Sequence, residues 1–212
     1  DSLGINAEDY YKDRVIVEDE SIYKGWKSVD LESPDLINDF FENGTVDSDS
    51  VCENLYQNEY IIAKYGNQSM MGIKIGNDIK PLVSNTHDLV PIVARNKEQK
   101  FTIDMLTRDD INLCTITGRA GSGKTFLTLL AAISGLQSQK YKRIVITRSL
   151  EPVGKSIGYL PGDMNEKLDP WIGSIVDNFK NHFGDLTYFH LMKEKGSIEI
   201  APLAFIRGRT FN

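Results

Sequence analysis

Thr115-Ile116-Thr117-Gly118-Arg119-Ala120-Gly121-Ser122-Gly123-Lys124-Thr125 is the stretch from which the rest of the chain is read. Gly118, Gly123, Lys124 and Thr125 stand at the fixed positions of G-x-x-x-x-G-K-[ST]. Leu113 to Thr117 is a β-prone run ending at the glycines. Phe126 to Leu136 is apolar on every side, as a buried helix beginning at them would be. Glycines let the backbone curl with its N–H groups pointing inward, and the helix adds the partial positive charge of its N-terminus. An anion is the natural occupant. Lys124 is expected on β- and γ-phosphates, with the Thr125 hydroxyl on a magnesium ion that bridges them. A glycine-rich turn before a helix can be only a turn, but four fixed positions with the right flanks favour the phosphate cradle.

Outward from the loop, composition sets the class. The chain has 212 residues, 41% hydrophobic and 25% charged, which is enough for one domain and a companion with a soluble, globular balance. No run approaches the ~20 apolar residues of a membrane helix, and no charged-then-apolar leader opens the chain. The expected location is cytoplasmic, without membrane contact. Cys52 and Cys114 have no C-x-x-C spacing, and Cys114 falls inside the expected buried strand, so both read as inert thiols. His87, His182 and His190 show no metal spacing.

The net charge of −6 is divided unevenly. Residues 1–90 carry 7 basic and 18 acidic side chains, whereas residues 91–212 carry 17 and 12. The acidic front argues against nucleic acid there, and the mildly basic back is compatible with one phosphate-backbone groove. Neither end of the sequence, Asp1 or Asn212, resembles a natural terminus, and the expectation is a piece of a longer protein.

Residues 1–90 read as an acidic α+β connector. Ala7 to Lys12 is a short helix candidate, Arg14 to Val17 a strand candidate, and Glu18-Asp19-Glu20 a solvated run. Ser33-Pro34 opens a helix with Leu36, Ile37, Phe40 and Phe41 on one face, and Gly44 stops it. Tyr60 to Lys64, Met70 to Ile75 and Ile79 to Val83, separated by Gly66-Asn67 and Gly76-Asn77-Asp78, form an antiparallel meander. Tyr56, Tyr60 and Tyr65 suit either packing or base stacking, with packing favoured.

Residues 91–212 hold the chemistry. Asn96 and Gln99 have capping-box spacing ahead of a helix from Phe101 to Leu106. Gln99 has a second reading, as an amide that reads an adenine edge. Lys142 to Arg148, with Ile144-Val145-Ile146, is a second strand, so that strand, helix and strand make a right-handed parallel βαβ unit. Arg148 stands at its carboxyl end, where ligands collect in such sheets, and reads as a phosphate or nucleic-acid contact or as a surface arginine. Residues 149–163 form a long loop of the kind that is usually functional. Asp169 caps a helix opened by Pro170, with Trp171, Ile172, Ile175, Val176, Phe179 and Phe183 on its core face. A helix near Leu186 to Lys193 and a strand near Ile198 to Ala201 follow.

Arg95-Asn96-Lys97-Glu98-Gln99, the loop from Gly118 to Thr125, Thr147-Arg148, Val153 to Asp163, Glu166-Lys167-Leu168 with Pro170-Trp171, and Arg207-Gly208-Arg209-Thr210 occur in that order. Together they resemble the PhoH family of P-loop ATPases over residues 91–212. The front, through Leu3 to Tyr10, is similar to the connector that follows a PIN ribonuclease domain in the longer members. The resemblance implies a RecA-like parallel sheet, present in part, with ATP and magnesium as ligands and single-stranded RNA as a partner. A hexameric ring follows by analogy. It places Gly118, Arg119, Ala120, Gly121, Ser122, Gly123, Lys124 and Thr125 on the nucleotide, with Lys124 and Thr125 catalytic. Gln99 falls on the base, Arg148 on the strand or nucleotide, and a phosphate-stress role is attached to the family by name. One departure stands out: no apolar strand ending in Asp-Glu follows the loop in this sequence. The carboxylates that anchor magnesium and prepare water are therefore missing, and weak hydrolysis is expected.

Two function classes remain open from the sequence. One is an RNA-associated ATPase of helicase type; the other is a nucleotide-regulated module that binds protein and has no motor activity. RNA affinity falling with salt at about 0.7 log units per phosphate contact would mark the first. A small-molecule kinase has no visible acceptor pocket or lid.

Overall fold

From Tyr60 to Pro81 the chain alternates strand-forming runs with glycine-led turns, and that pattern builds the first sheet. The structure is a computed structural model that describes residues 23–83, 92–148, 164–206 and 208–210. The candidates at Ala7 to Lys12, Arg14 to Val17 and Glu18 to Glu20, and the loop 149–163, lie outside these residues. The chain divides into two units, one ending at Leu82 and the next beginning at Val83.

In the first unit the elements are β1 (Trp26–Asp30), α1 (Asp35–Asn43), β2 (Val46–Asp47), α2 (Ser48–Val51), β3 (Tyr60–Tyr65), β4 (Gln68–Ile75) and β5 (Asp78–Pro81). The sheet order is β1-β3-β4-β5-β2. Tyr65 opposite Gln68 and Ile75 opposite Asp78 leave Gly66-Asn67 and Gly76-Asn77 as two-residue turns. Gly66 and Gly76 take φ values of 54° and 64°, as the first position of a primed hairpin turn requires. β1 was not anticipated, because Lys27, Ser28 and Asp30 give it no apolar alternation. It is a strand through parallel pairing with β3.

α1 lays Ile37 and Phe40 over Ile61, Ala63, Met70 and Ile79 of the sheet. It begins at Asp35, one residue later than Ser33-Pro34 suggested. Ser33 Oγ accepts weakly from the Asp35 N–H at 3.4 Å, and Gly44 closes the helix in the left-handed conformation at φ 71°. Tyr60 is buried, so its role is packing, whereas Tyr56 stays exposed. Glu59, 1% exposed, accepts from the Tyr56 N–H at 2.8 Å and sits 3.8 Å from the Lys27 ammonium. A buried carboxylate needs such partners.

Gly72 in β4 has no room for a side chain. A Cβ there would overlap Ile79 Cγ2 and stand 2.8 Å from the Lys80 carbonyl oxygen, which is backbone and cannot rotate away. Gly72→Ala is expected to destabilise this unit by about 1–3 kcal/mol through overpacking. A urea midpoint unchanged from the parent would contradict the β4–β5 register.

The second unit contains α3 (Lys97–Thr107), α4 (Lys124–Gln137), β6 (Ile144–Arg148), α5 (Met164–Phe183), α6 (Thr187–Glu194), β7 (Ile198–Pro202) and a 3-10 turn at Leu203–Phe205. β6 and β7 pair in parallel, with Ile144 opposite Ile198 and Arg148 opposite Pro202. The connection between them runs through α5 and α6. Leu129, Leu130 and Ile133 of α4 form the core with Ile175 and Phe179 of α5 and with Phe189 and Met192 of α6.

The expected strand before the loop does not form among the described residues. Leu113 to Thr117 has no strand pairing, and Leu113 is 87% exposed. A β-prone run becomes a strand only when a neighbour closes its ladder, and no described strand pairs with this one. Cys114 consequently lies in an irregular segment, half-buried, with its thiol donating to the Met105 carbonyl at 3.7 Å. The parallel unit is therefore β6 to β7 through α5 and α6. Helix α5 starts at Met164, ahead of the opening expected at Pro170, and runs through Asp169 and Pro170. Tertiary contacts further along, at Ile175 and Phe179, carry the helix past a residue that cannot donate to its ladder.

Candidate functional site

The loop joins residue 117 to α4, and its shape follows from its glycines. Gly121 and Gly123 have φ values of 76° and 88°, a region costly for any residue with a Cβ. Gly123 occupies the cap position of α4, with no side-chain bond to the helix amides and no acidic residue in the first turn. A 14-residue helix thus begins with amides that no side chain caps. They carry the positive end of the helix dipole.

Lys124 reaches back across the loop. Its ammonium donates to the carbonyls of Gly118 and Arg119, each at 2.8 Å, and lies 3.5 Å from Ser122 Oγ. The Ser122 N–H donates to the Arg119 carbonyl at 3.3 Å. Two short bonds hold the loop's curl, and the ammonium's third N–H has only the long contact. The site therefore fits an anion: a side-chain-poor concavity, an uncapped helix start and a fixed cation share one turn of chain.

Gln99 is drawn to the same place. Asn96 Oδ1 accepts from the Gln99 N–H at 2.8 Å, as the cap spacing predicted. The Gln99 side chain accepts from the Arg95 N–H at 2.8 Å and donates to the Ser122 carbonyl at 3.3 Å. It ties the start of α3 to the loop, and its amide nitrogen is 3.3 Å from where a Gly123 Cβ would sit. Base recognition by Gln99 would have to use its remaining lone pair and N–H.

Three openings meet the loop. One of about 540 Å³ takes in Lys124, Thr125 and Thr128 of α4 and Ile144, Ile146 and Thr147 of β6. A second, about 240 Å³, lies by Glu98, Thr102, Gly118 and Ser122. The third, about 600 Å³, runs from Gly121 and Gly123 past Arg95 and Phe126 to Asn181 and His182. The eight predicted loop residues are contiguous, and Gln99 and Thr147 join them. Arg148 ends β6, but its side chain lies outside the described residues. Asn181, His182 and Phe126 were not singled out from sequence as site residues. Their only signal, position on amphipathic helices, marks core and surface and not ligand.

Arg209, in the Arg-Gly-Arg-Thr segment, forms a two-pronged ion pair with Glu199 of β7 at 2.5 and 3.0 Å. Hydrogen bonding to Arg209, reinforced by the charges of Arg209 and Arg143, holds the Glu199 carboxyl below its usual range. That pair fastens the segment after β7 to the sheet. Burial lowers the His182 imidazole pKa and raises that of the Cys114 thiol, so the histidine is neutral and the thiol poorly nucleophilic near neutrality.

Among the described residues no group of three His, Cys, Asp or Glu side chains could hold a metal ion. None of the described helices is long and apolar enough to cross a membrane.

A family model described as "PhoH-like protein" matches residues 91–212. The chain is 37% identical over 224 residues to Protein PhoH2 of Bacillus subtilis, covering 99% of the chain and 49% of that protein. It is 31% identical over 220 residues to Protein PhoH2 of Thermobispora bispora, covering 100% and 48%. Protein PhoH of Escherichia coli K12 is 34% identical over 131 residues, covering 61% of the chain and 36% of that protein. The chain thus spans about half the length of the PhoH2 relatives it matches.

Proposed function

Because the chain belongs to the family of PhoH-like proteins, we propose that its second unit is the nucleotide-binding part of an ATP hydrolase. Gly118 to Thr125 would receive the triphosphate. The observation that carries this reading is the Lys124 ammonium, held 2.8 Å from two loop carbonyls beside the uncapped start of α4. Loop amides and the helix dipole bind the phosphates, and Lys124 neutralises charge on the terminal ones. The Thr125 hydroxyl, exposed on the first turn, would hold magnesium. When bound, magnesium would supply electrostatic stabilisation of negative charge on the phosphates.

The finer reading is a RecA-like sheet of which β6 and β7 are a part, acting on single-stranded RNA in the whole protein. The basic balance of residues 91–212 and the position of Arg148 at the end of β6 support a phosphate-backbone contact there.

Calorimetric titration with ATP and ADP, with and without magnesium, tests the proposal. Saturable binding that EDTA weakens is expected. Absence of binding at millimolar nucleotide would end the phosphate-site reading.

A further inference from the structure

The two larger openings beside the loop differ in what they offer, and the difference gives the bound nucleotide a direction. Thr125 lines the opening of about 540 Å³, and Lys124 lines both that one and the opening of about 240 Å³; in this motif those side chains act on the terminal phosphates and metal. The nucleoside must then trail to the other side of the loop. There Gly121 and Gly123 open the cleft of about 600 Å³. The opening of about 240 Å³, which Gly118, Lys124 and Glu98 share, falls below the usual size of a ligand site.

The far wall of the large cleft is aromatic and held in place. The Phe126 ring lies 5.9 Å from the His182 ring at 65°, and His182 lies 4.6 Å from Phe183 at 87°. His182 is thereby fixed between rings of α4 and α5. Its burial keeps it uncharged, so it offers a π-surface. Asn181, on the same turn, is exposed and lines the cleft. Its carboxamide both donates and accepts, whereas Gln99 already spends both ends of its amide on Arg95 and Ser122.

We infer that the base of the bound nucleotide is a purine lying against Phe126 and His182, with Asn181 reading its edge. The inference rests on the phosphate-site reading above and adds specificity-determining residues to it. A bicyclic base covers more of the aromatic wall than a pyrimidine, and base–aromatic stacking survives loss of sequence-specific bonds.

Magnesium-containing titrations of the 212-residue chain with ADP, CDP and inorganic tripolyphosphate distinguish the parts. The parent is expected to prefer ADP over CDP by about tenfold. His182→Ala should weaken ADP by about tenfold, collapse the ADP/CDP ratio towards one and leave tripolyphosphate unchanged. His182→Phe, which keeps a ring, should restore the ratio. Unchanged ADP affinity in His182→Ala, with all three ligands weakened in Lys124→Ala, would overturn the base wall and leave the phosphate site standing. Equal losses for ADP and tripolyphosphate in His182→Ala would reduce the residue to packing and also overturn it. A parent that binds none of the three removes the phosphate site and this inference with it. Should circular dichroism show His182→Ala unfolded, Asn181→Ala decides at an exposed position: a reduced ratio supports the wall, and an intact one refutes it.

Discussion

Lys124→Ala is expected to weaken ATP and ADP binding by about 1.5–3 kcal/mol, roughly ten- to hundredfold. The ammonium stands ready in the free protein, since its bonds to the Gly118 and Arg119 carbonyls at 2.8 Å set its position before any ligand arrives. Three donors and two short bonds leave one N–H for a phosphate oxygen without breaking either. Little of the interaction should therefore be spent on rearrangement. Truncation also releases the loop carbonyls, which water can solvate because the loop is exposed, so folding stability should change much less than affinity. Lys124→Met, uncharged and of similar length, separates charge from packing and should bind as weakly as Lys124→Ala. Wild-type affinity in both variants, by calorimetry at fixed magnesium, would refute the assignment of the loop.

Phe179→Ala should cost about 3–5 kcal/mol of stability, the range for emptying a buried aromatic position. Phe179 is 0% exposed, and its ring centroid lies 5.0 Å from Phe189 and 5.7 Å from Phe183. It joins α5 to the Leu130 and Ile133 face of α4, the helix whose first turn forms the site. Against a typical domain stability of about 5–15 kcal/mol, such a loss would shift the urea midpoint substantially. Nucleotide binding should fail at temperatures the parent tolerates. Phe41→Ala, at a position 68% exposed, is the matched control and should change stability little. A Phe179→Ala loss below about 1 kcal/mol would mean that α5 does not pack on α4 as described.

These two positions also separate what could be read early from what could not. Lys124 was assigned from a spacing within eight residues, and the two-residue turns at Gly66-Asn67 and Gly76-Asn77 were visible for the same reason. So was the Asn96 cap. Phe179 is recognisable as core from its helical spacing with Ile175 and Phe183, although its helix begins at Met164, six residues ahead of Pro170. The run Leu113 to Thr117 shows the opposite case. Its composition is that of a strand, yet Leu113 faces solvent, because strand formation depends on a partner that composition does not specify. β1 inverts this, as a polar segment made regular by β3.

The sequence alone determined the Asn96 cap, the Gly44 stop, the two hairpin turns and membership of the family, because each depends on residues close together along the chain or on motifs in fixed order. Only the tertiary structure decided which edges pair and where Gln99 spends its amide. It also decided that His182, 57 residues beyond Thr125 in the sequence, stands beside Phe126 in the same cleft. Those outcomes depend on how separate helices and strands pack, and packing brings together side chains whose separation along the chain carries no periodic signal.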